Sequence, residues 1–221
     1  MPEHLYICDH LSSLRPGEDT TLALARASRG RGRISNWCLM RDLRWVDGTL
    51  WGQLRPFDDR MEVVEGSWRQ LGSQELVFVR TDPPVDASYF AVLWLLDAMR
   101  VQGLRVINDP RALCYANEKT MILNFPELIP ATIVSADANS IREFVAAQGK
   151  AVVKPLDGNG GRGVLLLATG DTNLNSLIDV SLARVKMNHT IGQDGSLIEN
   201  STVFQTASTA SKPPRWQFWR K

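Results

Sequence analysis

The sequence has few cysteines and few histidines, three of each in 221 residues. Cys8, Cys38 and Cys114 are widely spaced and sit beside apolar residues, which suits buried reduced thiols rather than a disulfide framework. The close, paired ligands of a zinc site are missing. His4, His10 and His189 form no cluster, so a Ser/His/Asp or Cys/His hydrolase finds no support in the residue pattern. An excess of one charge is also absent. The 25 Lys and Arg residues against 24 Asp and Glu leave a net charge of +1, which removes any bulk attraction to nucleic acid or anionic lipid. No run approaches the roughly 18 apolar residues of a membrane span. Met1-Pro2-Glu3-His4 carries no basic stretch followed by an apolar core, so no secretory signal is expected. These absences lead to the expectation of a cytoplasmic protein with no nucleic-acid or membrane partner. There is no internal repeat and no Walker A sequence.

What is present is alternation of strand and helix patterns. Leu5 to Cys8 reads as a buried strand, and residues from about Asp19 to Ser28 as a helix ended by Gly30 and Gly32. Ile34 to Met40 is a second strand. Leu43–Val46 and Thr49–Trp51 flank Asp47-Gly48, a dipeptide that suits a type I′ hairpin. Leu76–Val79 is a further strand, and the prolines of Arg80-Thr81-Asp82-Pro83-Pro84-Val85-Asp86 make the segment after it a rigid loop. An apolar helix from about Ser88 to Val101 leads to a strand at Leu104–Ile107. This order predicts a parallel α/β domain over residues 1–110.

A connector helix is expected from about Arg111 to Asn124. Ala131–Val134 then reads as a strand, Ser140-Ile141-Arg142-Glu143 as a capping box opening a helix, and Ala151–Pro155 and Val164–Ala168 as strands. Residues 111–180 therefore predict a second, α+β unit. Beyond about Val180 the periodicity fades, and 181–221 is expected to be a divergent, poorly ordered tail. Its basic and aromatic end, Arg215 to Lys221, suits a disordered segment, with contact to a membrane surface or nucleic acid as the weaker reading.

The most informative stretch runs from Lys154 to Gly163. Gly158, Gly160 and Gly163 match G-x-G-x-x-G, but a Rossmann site needs a helix directly after the glycines, and a β-type run follows here. The order strand, glycine loop, strand suits a lid over phosphates, since glycines let backbone N–H groups approach phosphate oxygens. A flexible hairpin without a ligand is the other reading. Four glycines in the six residues from 158 to 163 are more than a hairpin requires. Lys154 at the loop base adds a cation. Lys119, in Asn117-Glu118-Lys119, is a second candidate: two ammonium groups can neutralise a triphosphate from different sides.

Together these residues resemble the prokaryotic-type glutathione synthetases. The family's Arg-x-Asp-Pro-Pro-x-Asp is matched by Arg80 to Asp86, its Val-x-Asn-x-Pro by Val106 to Pro110, its Asn-Glu-Lys by residues 117–119, and its Lys-Pro-Leu-Asp-Gly-x-Gly-Gly by Lys154 to Gly161. The resemblance covers about Leu5 to Val180. It implies a pre-ATP-grasp α/β domain followed by part of an ATP-grasp domain. It also implies an ATP-dependent ligase that joins γ-glutamylcysteine and glycine through an acyl phosphate, with a homo-oligomer as a further option. Lys119, Lys154, Gly158, Gly160 and Gly161 would then contact the nucleotide. Arg80 and Asp82, at a strand end where α/β sheets bind ligands, would contact substrate; a proline-stiffened turn with an internal Arg–Asp contact is the alternative. No catalytic residue is singled out. Magnesium is expected for the family, but its ligands are not found: the late Glu-x-Asn motif has no counterpart, Glu199 and Asn200 being adjacent. The reading is of an incomplete ligase chain. A non-catalytic nucleotide-binding module and an ATP-grasp ligase for another acid and amine are the alternatives.

Overall fold

A computed structural model describes residues 3–57, 64–82, 84–158, 160–186 and 204–208. The chain divides into two units, Met1–Ala116 and Asn117–Lys221. None of the helices among the described residues is long and apolar enough to cross a membrane.

The first unit holds β1 (Glu3–Ile7), α1 (Thr20–Gly30), β2 (Ser35–Cys38), β3 (Leu43–Val46), β4 (Thr49–Pro56), β5 (Ser67–Gln70), β6 (Glu75–Val79), α2 (Ala87–Arg100), β7 (Arg105–Ile107) and α3 (Pro110–Tyr115). β2, β1, β6 and β7 are parallel neighbours in that order. The antiparallel strands β4, β3 and β5 extend the sheet beyond β2. The Asp47-Gly48 turn joins β3 to β4 with φ of 47° and 79°, the positive values that a type I′ turn demands. β5 escaped the sequence reading because its Ser-Trp-Arg-Gln run is largely exposed at an edge and shows no apolar alternation.

β1 shows why the sheet is covered on both faces. Leu5 and Ile7 pack with Val77, Val79 and the α2 residues Val92, Leu93 and Leu96. Tyr6 and Cys8 point the other way, into a cluster with Leu22 and Ala25 of α1, Trp37 and Phe57. Alternate side chains of one strand thus enter two cores, which is why β1 reads as a continuous apolar run. Burial pushes the Cys8 thiol up to about 12 and the Cys38 thiol well above its ordinary value, so both remain protonated. α2 opens where Asp86 accepts the Tyr89 N–H at 3.0 Å. It ends at Gly103, whose φ of 92° lets the Leu104 N–H return to the Met99 carbonyl at 3.1 Å.

The second unit holds β8 (Thr132–Ser135), α4 (Ala138–Gln148), β9 (Lys150–Pro155), β10 (Leu165–Ala168), α5 (Leu174–Lys186) and β11 (Phe204–Ser208). The antiparallel sheet runs β10, β9, β11, β8. Ile141 and Val145 of α4, Ala151 and Val153 of β9, Leu167 of β10 and Ile178 of α5 form its core. The N-cap of α4 is Asp137, not Ser140: the Asp137 carboxylate accepts both the N–H and the hydroxyl of Ser140 at 2.7 Å. The boundary expected at 180 falls inside α5, whose apolar stripe of Leu174, Leu177, Ile178 and Leu182 continues past it. Phe204–Ser208, in the stretch expected to be a tail, pairs with both β8 and β9. Arg215–Lys221, Glu199 and Asn200 lie outside the described residues.

Candidate functional site

The connector expected as one helix from 111 to 124 stops at Tyr115, and two short 3-10 turns, Met121–Asn124 and Pro126–Leu128, follow. Asn117 explains the break. Its side-chain oxygen accepts the Lys119 N–H at 2.9 Å, and its carbonyl accepts the Met121 N–H at 2.9 Å. A side chain that bonds its own backbone two residues on competes with helix continuation. The turn places Lys119 beside the glycine loop. The Lys119 Nζ donates to the Gly158 carbonyl at 2.6 Å and lies 2.9 Å from the Glu118 carboxylate.

The glycine loop links β9 to β10. Gly160, Gly161 and Gly163 have φ of 58°, 75° and 74°, where any other L-residue is strained by about 1–2 kcal/mol. Gly158 is glycine for a different reason. A Cβ there would stand 3.2 Å from the Pro155 ring and 3.3 Å from the Arg162 carbonyl, so a side chain at the base would force its neighbours to shift by a few tenths of an ångström.

Lys119, Lys154, Gly158, Gly160 and Gly161 line one open cleft of about 470 Å³ together with Glu118, Ile122, Pro155, Arg162 and Val164. All five nucleotide candidates from the sequence therefore share one cavity, within the usual range for small-molecule sites. Three cations face a single carboxylate across this lining, so the cleft suits an anion. Lys154 leaves β9 one residue before its end, flanked by Val153 and Pro155, which are buried. Among the described residues its side chain has no hydrogen-bond or ion-pair partner, and neither has that of Arg162. Ile122, Pro155 and Val164 supply the apolar part. The sequence reading missed Arg162, Asn117 and Glu118, although all three stand inside motifs it quoted: a cation among phosphate-type glycines and an Asn two residues before a candidate lysine were the available signals.

Arg80 and Asp82 belong to the first unit, at the end of β6. The Arg80 guanidinium donates to the hydroxyls of Thr20 and Thr21 at the start of α1, and no Arg80–Asp82 ion pair forms among the described residues. The Asp82 N–H donates to the Asp9 carboxylate at 3.0 Å. Burial raises the Asp9 pKa, and that N–H bond opposes the rise. Asp9 and Arg80 follow β1 and β6, the two strands flanking the point where the sheet's connections reverse direction, the usual ligand crevice of such sheets. Among the described residues, no three His, Cys, Asp or Glu side chains gather as metal ligands would.

The family model for the prokaryotic glutathione synthetase N-terminal domain matches residues 3–114, and that for the prokaryotic glutathione synthetase ATP-grasp domain matches residues 118–194. The chain is 40% identical over 194 residues to a glutathione synthetase of Thermosynechococcus vestitus, covering 81% of this chain and 61% of that protein. It is 34% identical over 194 residues to a glutathione synthetase of a Synechocystis species, covering 80% and 60%. The chain thus spans about 60% of the length of these relatives. Among solved structures it is similar to D-cycloserine synthetase DcsG, with a TM-score of 0.55 and 17% identity over 93% of this chain and 59% of that one.

Proposed function

The chain belongs to the prokaryotic glutathione synthetase family, and on that premise we propose that its second unit grips ATP for the joining of γ-glutamylcysteine to glycine. The observation that supports this most is the shared cleft of Lys119, Lys154 and the glycines 158, 160 and 161. The residues present fit a triphosphate. Two ammonium groups and the Arg162 guanidinium offset its charge, and the left-handed Gly160 and Gly161 let backbone N–H groups come close to it. Ile122 and Val164 offer apolar surface to a base.

In this reaction the nucleotide supplies the phosphoryl group that turns a carboxylate into an acyl phosphate, from which an amine displaces phosphate. The chain's own residues hold and orient, and they place positive charge where negative charge collects. Arg80 and Asp82 are the proposed contacts to the acid substrate, supported by their place beside the reversal point of the first sheet. Magnesium is expected for the family. Among the described residues no carboxylate cluster fits it, and the chemistry assigned to this chain is limited to its cations and amides.

The test is calorimetric titration of the full chain with ATP, ADP, AMP and adenosine, followed by phosphate release with γ-glutamylcysteine and glycine. Affinity is expected to rise with phosphate count and to fall with salt. Absence of nucleotide binding in the folded chain overturns the proposal. Binding without phosphate release supports a nucleotide-binding module in place of a self-sufficient ligase.

A further inference from the structure

Two side chains, two residues apart, hold two carbonyls of the glycine loop, also two residues apart. The Asn117 side-chain N–H donates to the Leu156 carbonyl at 3.0 Å, and the Lys119 Nζ donates to the Gly158 carbonyl at 2.6 Å; each contact spans 39 residues. The two rungs differ in what an arriving anion does to them. The Lys119 ammonium lines the cleft, and a phosphate oxygen is a stronger acceptor for it than a neutral carbonyl. The Asn117 amide carries no charge and does not line the cleft, so a phosphate gives it no reason to let go. Its oxygen meanwhile accepts the Lys119 N–H, so one amide fixes both the lysine backbone and the base of the loop.

We propose that Asn117 is a positioning residue that pins the loop base at Leu156, so that Lys119 can move from the Gly158 carbonyl to a phosphate while only the loop tip is released. This rests on the nucleotide reading of the cleft. The arrangement makes Lys119 a latch: it steadies Gly158 in the nucleotide-free chain and frees the left-handed Gly160 and Gly161 to approach the phosphates once it turns to the ligand.

Two variants separate this role from simple turn capping. Aspartate accepts the Lys119 N–H as well as asparagine does, since both favour such turns, but it has no N–H for Leu156. If Asn117 only caps the turn, Asn117→Asp behaves as wild type and Asn117→Ala does not. If it anchors the loop, both fail alike. The readout is amide hydrogen exchange of residues 154–158 in the full chain without nucleotide, which keeps the charge of aspartate from confusing a binding measurement. Loss of one hydrogen bond speeds local opening by about fivefold, and that increase is expected in both variants. Wild-type exchange at 154–158 in Asn117→Asp overturns the proposal.

A second measurement needs no variant. In the wild-type chain, a non-hydrolysable ATP analogue is expected to change exchange at Gly158 and 160–163, where the Lys119 contact is released, and to leave 154–157 nearly unchanged. An equal change in both segments also overturns the proposal. If the analogue does not bind, the ATP reading fails, and the variant comparison in the nucleotide-free chain still decides the anchor.

Discussion

Replacing Lys154 by methionine removes one ammonium group and keeps most of the apolar stem. The Lys154 side chain has no hydrogen-bond or ion-pair partner among the described residues, and the side chains that pack β9 onto its helices are those of Ala151 and Val153. The change should therefore leave fold stability within about 0.5 kcal/mol. Binding is another matter. A hydrogen bond from a charged donor contributes about 1.5–3 kcal/mol, so ATP affinity should fall roughly 10- to 150-fold, while adenosine affinity should stay the same. Lys119→Met is the useful contrast. It removes a cation from the same cleft but also breaks the contact to Gly158 at 2.6 Å, so it should alter loop exchange in the nucleotide-free chain, where Lys154→Met should not. Calorimetry with ATP and adenosine, thermal unfolding, and amide hydrogen exchange of the loop in the nucleotide-free chain read these effects. ATP binding of wild-type strength in Lys154→Met, or an equal loss for adenosine, would refute the reasoning.

Three further outcomes follow from the same geometry. Gly160→Ala meets open space but a φ of 58°, so it should raise the energy of the folded loop by about 1 kcal/mol, weaken ATP binding and lower the unfolding midpoint slightly; a raised midpoint or ATP binding of wild-type strength would contradict this. Glu118→Gln removes the carboxylate 2.9 Å from the Lys119 ammonium, and because that carboxylate is exposed and the pair of modest strength, it should tighten ATP binding about two- to threefold in calorimetry. Asp137→Ala removes the cap of α4. The Ser140 hydroxyl and N–H, which donate to Asp137, lower its pKa beneath 3.8, so its stabilisation is present above that value and lost as pH falls through the folded-state pKa. The gap in unfolding midpoint between wild type and variant should be full at neutral pH and closed in strong acid.

The apolar runs and their punctuation made most of the fold legible. Leu5–Cys8 and Leu76–Val79 read as strands because a strand buried on both faces is apolar throughout, Leu104–Ile107 was found from its short β-type run after Gly103 although β7 is largely exposed, and Asp47-Gly48 marked the hairpin because few residues tolerate its backbone angles. The cap of α4 was misplaced because Ser140 and Asp137 both carry capping chemistry, and only the backbone path decides which accepts and which donates. β5 and β11 were invisible for a shared reason: short strands defined by their neighbours' hydrogen bonds need no pattern of their own.

By itself, the order of residues determined that a cation precedes a glycine-rich, strand-flanked loop, and that Asn-Glu-Lys stands upstream of it. Those are properties of local sequence, and the glycines make left-handed backbone angles available there without deciding which of them adopt one. Only the tertiary structure decided that Lys119 reaches Gly158 and that Asn117 reaches Leu156, because contacts across 39 residues depend on where the chain turns between them. It also decided that Arg162 joins the two lysines around one cleft, since the direction of a loop side chain is set by the fold around it rather than by its place in a motif.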